Sequence, residues 1–165
     1  MLLKKIKPIT VILLVFISLN LSSCLALKNL NVNRLAELKI DSGFTSGLDY
    51  HYEPLDWITE ADLSMTGIIF LASIVDVPTG IYEYRFNIYD PDNELVSSIH
   101  ESVYIDLGPD DYWSFWTKYK FDPQEDLPGD WTFEFYIDNV LIDVKILPVD
   151  SVEDESHKYN INLSL

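Results

Sequence analysis

The chain has one cysteine in 165 residues, at position 24. No disulfide can form within a single copy, so burial of apolar surface must hold any fold together. Histidine is almost as scarce. His51, His100 and His157 stand far apart, and no His-x-x-His or His-Glu-x-x-His spacing occurs, which argues against a transition-metal centre. There are six glycines, and none forms a phosphate-cradling loop or a Gly-x-Ser-x-Gly elbow. Cations are few: 11 Lys and Arg against 27 Asp and Glu. A chain this acidic repels nucleic acid and anionic headgroups, so no nucleic-acid partner is expected. Carboxylates are too many for any one pair to mark a glycosidase site. With no nucleophile–base arrangement either, no catalytic residue is assigned and the chain reads as a non-enzyme, a small hydrolase with an unrecognised carboxylate pair being the remaining alternative.

What is present begins at the first residues. Lys4, Lys5 and Lys7 precede an apolar run from Ile9 to Ile17, interrupted only by Thr10. The run is shorter than the roughly 18–20 residues that a bilayer span needs, and the layout is that of a secretory leader. Leu21-Ser22-Ser23-Cys24 follows. These four residues resemble the lipobox of bacterial lipoproteins. The resemblance implies cleavage before Cys24 and a covalent diacylglyceryl lipid on its thiol, with no other cofactor. A lone cysteine in an exported chain otherwise lacks an explanation. The resemblance also implies a protein held on a membrane of the bacterial cell envelope. Leu25, where an Asp would favour the inner membrane, points to the outer membrane in an organism that has one.

The expected division is a leader at 1–23, lipidated cysteine and tether at 24–35, a domain at 36–150 and a polar, loose tail at 151–165. The leader holds three of the cations and no carboxylate. Eight cations against 27 carboxylates then remain, a formal charge of −19. Hydrophobic residues make up 48% and aromatics 13%, enough for a core in one domain of this size despite the charge.

Inside the domain, period two prevails. Thr66–Val77 is a mostly apolar run that fits a buried strand, ended by Pro78-Thr79-Gly80. Ile81–Tyr89 alternates, with Tyr82, Tyr84, Phe86 and Ile88 on one face and Glu83, Arg85 and Asn87 on the other. Asp90-Pro91-Asp92-Asn93 has turn chemistry. Glu94–Ile99 and Ser102–Leu107 read as two further short strands. In "DYWSFWTKYKF", Trp113, Phe115, Thr117, Tyr119 and Phe121 share one parity. Tyr112, Ser114, Trp116, Lys118 and Lys120 share the other. Both lysines belong to the second set, so the first set is expected to face the core. Pro128-Gly129 is a turn. Trp131, Phe133, Phe135 and Ile137 point inward on the next strand, and Asp138-Asn139 sits where a two-residue hairpin turn belongs. Val140–Val149 closes the domain. Some seven to eight short strands without a long helix predict an all-β, antiparallel β-sandwich, because one sheet alone would leave the rings in water.

"PTGIYEYRFNIYDPDNELV" and "LPGDWTFEFYIDNVLIDVKILPV" together resemble the immunoglobulin-like modules of bacterial surface lipoproteins. Gly80 and Tyr82, then Gly129 and Trp131, match the Gly-x-aromatic strands of that family. Asp138-Asn139 holds its turn. Asn139 replaces the usual Gly, Leu147 stands where Phe is common, and the antibody Cys…Trp…Cys pattern is absent. The resemblance implies an immunoglobulin-like sandwich with a binding or scaffolding role.

The candidate site residues follow from surface chemistry. Tyr112 and Trp116 fall on the expected outer face, with Tyr136 on a candidate neighbouring strand. Such aromatics anchor a protein partner or stack on sugar rings. Against this stands cover by the tether, the tail or loop 50–58, with Trp57 foremost. An envelope protein is the expected partner, and a glycan, with the chain as a carbohydrate-binding module, is the alternative. For metals, only calcium has weak candidates, Asp90, Asp92, Asp110 and Asp111. Turns also choose Asp for backbone reasons.

Overall fold

A computed structural model of the chain describes residues 38–108 and 111–152. The expected leader, Cys24, the tether, Asp110, His157 and nearly all of the expected tail lie outside the described residues.

Eight strands follow in order: β1 Lys39–Thr45, β2 Ala61–Asp62, β3 Ile68–Val75, β4 Gly80–Tyr89, β5 Leu95–Ile105, β6 Tyr112–Tyr119, β7 Gly129–Ile137 and β8 Val140–Asp150. They form two sheets. One has the order β1-β3-β6 and the other β2-β8-β7-β4-β5. All pairings are antiparallel except the two-residue β2, which runs parallel to β8. In immunoglobulin lettering the first sheet is A-B-E and the second carries G-F-C-C′. The fold is an all-β immunoglobulin-like sandwich.

The core is aromatic. Phe70 of β3 meets Phe44 at 5.4 Å, Phe86 at 5.6 Å and Phe133 at 5.8 Å between ring centroids. Phe115 of β6 packs on Tyr84 at 4.9 Å and Phe135 at 5.1 Å. Near one end, Trp131 is wholly buried against Tyr119 and Phe121, and its indole N–H donates to the Leu127 carbonyl at 2.9 Å. Apart from Phe44–Phe70, which is a cross-strand pair within the smaller sheet, the pairs between strands join opposite sheets, so ring contacts do here what a disulfide does in antibody domains.

Alternation explains the faces. Trp131, Phe133, Phe135 and Ile137 are all fully buried. In "DYWSFWTKYKF" the parity also holds: Phe115, Thr117 and Phe121 are buried, while Tyr112, Trp116 and both lysines are exposed. Asp138 and Asn139 take φ of 49° and 64°, the left-handed turn that hairpins of this length need. The turn is also tied sideways, because the Glu83 N–H donates to the Asp138 carboxylate at 2.9 Å.

Two expectations change. The strands expected at Glu94–Ile99 and Ser102–Leu107 are one strand, β5. Its polar middle, His100, Glu101 and Ser102, pairs in register with Arg85, Tyr84 and Glu83 of β4. An edge strand leaves such side chains in water without interrupting its ladder. Asn87, expected outward, is largely buried. Its amide donates to Tyr89 and Glu134 and accepts from Ser98, so polar partners cover that face of β4.

Trp131→Ala should cost about 3–5 kcal/mol, the range for a fully buried large aromatic. Urea denaturation, read as a lower midpoint at unchanged slope, checks this.

Candidate functional site

The register of β1, β3 and β6 sets out the outer face of the smaller sheet as rows. Lys39, Val75 and Tyr112 lie side by side. Asp41, Ser73 and Ser114 form the next row, and Gly43, Leu71 and Trp116 the one after. Thr45, Ile69 and Lys118 come last. Residues 46–60 fold back over part of this face. Bridges Phe44–Ile58 and Leu48–Pro54 hold the turn. At its base, the Asp56 carboxylate accepts hydrogen bonds from the Thr45 hydroxyl at 2.8 Å, the Ser46 N–H at 2.9 Å and the Ser46 hydroxyl at 2.9 Å. The Asp49 carboxylate accepts from the N–H groups of His51 and Glu53.

Between this loop and the sheet lies a cleft of about 540 Å³. Asp41, Leu71, Ser73 and Ser114 form its floor; the loop side is Tyr52, Glu53, Pro54 and Trp57. The Ser73 and Ser114 hydroxyls bond each other at 2.8 Å. The Tyr112 hydroxyl donates to Glu53 at 3.2 Å and links β6 to the loop. That bond, with the nearby negative charge of Glu53, raises the Tyr112 pKa. A second hollow, about 500 Å³, adjoins the cleft and is lined by His51, Tyr52, Tyr112, Trp113, Ser114 and Trp116. Tyr112 and Tyr52 therefore border both.

Four aromatics around this surface remain about half exposed: Trp116 at 43%, Tyr112 at 50%, Trp57 at 52% and Tyr52 at 60%. Trp57 lies on Gly43, where a Cβ would come within 2.6 Å of its ring. Only a residue without a side chain lets the indole rest on the strand there. Trp57 thus covers Gly43 and borders the cleft, while Tyr112 and Trp116 keep exposed faces.

Of the aromatics singled out from sequence, Tyr112 and Trp116 share this face. Tyr136 does not. It stands on β7 in the other sheet, paired with Arg85. The Arg85 guanidinium sits over its ring, 4.3 Å from the centroid, and its hydroxyl donates to Glu134 at 2.7 Å. The three residues are not one platform, because the chain crosses from the smaller sheet to the larger between β6 and β7.

The acidic turns use their carboxylates locally. Asp90 accepts from the Glu94 N–H at 2.7 Å and Asp111 from the Gly108 N–H at 3.0 Å. Among the described residues, no three His, Cys, Asp or Glu side chains gather as metal ligands. The His51 ring lies tilted against Tyr50, 3.8 Å between centroids, and His100 lies 3.7 Å from Glu83.

Sequence reasoning missed Asp41, Tyr52, Glu53 and Ser73. The available signal was Gly43 in the middle of a strand, which marks a close approach.

No protein-family model and no curated protein matches this chain. Among solved structures, it is similar to an immunoglobulin-like protein from Pseudomonas aeruginosa, at 14% identity and TM-score 0.43, over 70% of this chain and 98% of that one. It is also similar to a Pseudomonas fluorescens alkylpurine DNA glycosylase bound to DNA containing an abasic site analogue, at 12% identity and TM-score 0.41, over 73% of this chain. It spans 33% of that protein. A chain assigned as a β-galactosidase from Bacteroides fragilis matches at 16% identity and TM-score 0.36, over 56% of this chain and 15% of that one. Likenesses at this level carry no function, and the strand order carries the fold.

Three hydrogen bonds to Asp56 favour its charged form and lower its pKa below the unfolded value of about 3.9. Their contribution is full above that value and fades as pH falls toward the folded pKa. Acid titration from pH 5 downward should therefore loosen residues 46–60 and shift Trp57 emission to the red before global unfolding. Asp56→Ala should show the shifted emission already at pH 5. Trp116→Ala, at a half-exposed site, should cost about 1–2 kcal/mol, between the fully buried and surface ranges. Denaturation of this variant beside Trp131→Ala reads the difference directly.

Proposed function

We propose that this protein is a lipid-anchored component of the bacterial envelope whose immunoglobulin-like domain binds a protein partner without catalysis. One observation carries the reading: Tyr52, Trp57, Tyr112 and Trp116, each about half exposed, border the cleft or the hollow that adjoins it, with Tyr52 and Tyr112 shared by both. Tyr and Trp dominate the binding energy of protein interfaces, because a large rigid ring buries much area at small entropic cost. Asp41 and Glu53 line the same cleft and would favour a partner that presents basic groups there. The glycan reading is less well supported, since it relied on Tyr136 beside Tyr112 and Trp116.

The anchor is a separate part of the proposal and rests on the leader and Leu21-Ser22-Ser23-Cys24. A covalent diacylglyceryl lipid at Cys24 holds a protein stably, because two chains together exceed the marginal binding of one. It would leave the domain beside the membrane on a short tether, placed to meet other envelope proteins.

Cys24→Ser should abolish the lipid mass increment and move the protein out of the membrane fraction. Retention in membranes without that increment would overturn the anchor. For binding, the immobilised chain should retain a specific envelope protein from detergent extract. Tyr112→Ala and Trp116→Ala should each weaken that retention at least tenfold while the domain stays folded by circular dichroism. Unchanged retention in both variants, or retention of polysaccharide instead, would overturn the protein-binding reading.

A further inference from the structure

The two sheets differ in width, and the excess is on one side. Ser42 of β1 bonds Asp143 of β8, Phe44 and Phe70 cover β7, and Phe115 of β6 covers β4 and β7. β5, beyond β4, is the edge of the larger sheet, and β6 is the edge of the smaller one. No described strand pairs with the free side of β6, the position that strand D takes in an A-B-E-D sheet.

A slot of about 510 Å³ results, lined on one side by Ile99, Glu101 and Val103 of β5 and on the other by β6 from Trp113 to Lys118. Ile99, Glu101 and Val103 pair with Phe86, Tyr84 and Tyr82, so they point to the core side of their sheet. Ile99 and Val103 are nonetheless only partly buried. Thr117 also lines the slot. It is 2% exposed, and its hydroxyl has no hydrogen-bond partner among the described residues. A buried hydroxyl left unpaired is costly, and a free strand edge beside it offers a row of backbone donors and acceptors. Shape, edge and orphan hydroxyl all fit an added β-strand.

We infer that this slot takes residues 159–165 of the same chain as a further strand, antiparallel to β6. The segment reads Tyr159-Asn160-Ile161-Asn162-Leu163-Ser164-Leu165, with strict alternation and neither proline nor glycine. Period two puts Tyr159, Ile161, Leu163 and Leu165 on one face, as a half-buried strand requires. The tail 151–165 as a whole is polar, because Glu153 to Lys158 are charged or polar, which conceals the alternation at its end. Its seven residues are one fewer than the eight of β6. The inward set would cover Ile99 and Val103, while Asn160, Asn162 and Ser164 face water.

Reach and direction agree. The end of β8 lies by the start of β7, since Val149 pairs with Gly129. The end of β6 lies there too, because Tyr119 packs on Trp131 at 5.1 Å. A chain entering the slot from that end runs antiparallel to β6. From β8 to β5 is three strand spacings, roughly 14 Å, and the opposing sheet is about 10 Å away, so the path is on the order of 17 Å. Residues 153–158, extended, reach roughly 20 Å.

This inference does not depend on the cleft or on its partner. Hydrogen exchange of the full-length chain in detergent micelles tests it. The β6 amides that do not bond to β3 should be protected in the wild-type chain. The double variant Ile161→Asp with Leu163→Asp should lose that protection at least tenfold. Asn160→Ala with Asn162→Ala, on the water-facing side, should keep it. Equal exchange in wild type and the Asp variant would overturn the inference. Protection that rises with protein concentration would overturn it too, by placing the segment of a second copy in the slot.

Discussion

The packing of aromatic rings across the sandwich is the constraint on which the rest depends. With its one cysteine at position 24, the chain has no inter-sheet disulfide to fix the layers. Phe44, Phe70 and Phe115 from the smaller sheet meet Phe86, Phe133, Phe135 and Tyr84 from the larger. Each contact needs its strand in one register, because a slip of a single residue would turn the rings to solvent. The ring pattern therefore sets which residues face outward as firmly as which face inward. Ser73, Ser114, Tyr112 and Trp116 are on the outer face because Ile74, Trp113, Phe115 and Thr117 are committed to the other.

That logic explains what was legible in the sequence. "WTFEFYI" shows its buried and outward sides without ambiguity, and Asp138-Asn139 marks the hairpin because few residue types tolerate φ near +50 to +65°. The parity of "DYWSFWTKYKF" was readable since two lysines label one side. The assignment of strands to sheets was not. Alternation gives a strand two faces but not its neighbours, and so Tyr136 looked like a companion of Tyr112 and Trp116. Its ring packs under Arg85 on the opposite sheet. β5 looked broken for a related reason: "HES" in its middle is polar, and an edge strand carries polar side chains on an intact ladder.

The cleft was illegible for a different physical reason. Residues 46–60 have no period, because side-chain carboxylates organise them rather than a ladder. Asp56 ties the segment to Thr45 and Ser46, and Asp49 caps the turn that positions Tyr52 and Glu53. Such bonds are satisfied by any nearby N–H and leave no repeating trace in sequence. The floor was hidden as well. Asp41, Ser73 and Ser114 come from three strands and meet only through the register of β1 with β3 and of β3 with β6.

β6 connects these features. Its inward side chains complete the core, its outward Tyr112 and Trp116 border the aromatic surface, and its free edge opens the slot over β5. One strand serves three surfaces because the smaller sheet ends with it while the larger sheet continues to β5. A strand added along that edge would extend the floor beside Trp116 without touching Trp57 or the loop across the sheet. The uneven widths of the two sheets thus separate two demands on one strand. The proposed partner contact would fall on its outer face and the proposed backbone pairing on its edge, so each could change without disturbing the rings that hold the layers together.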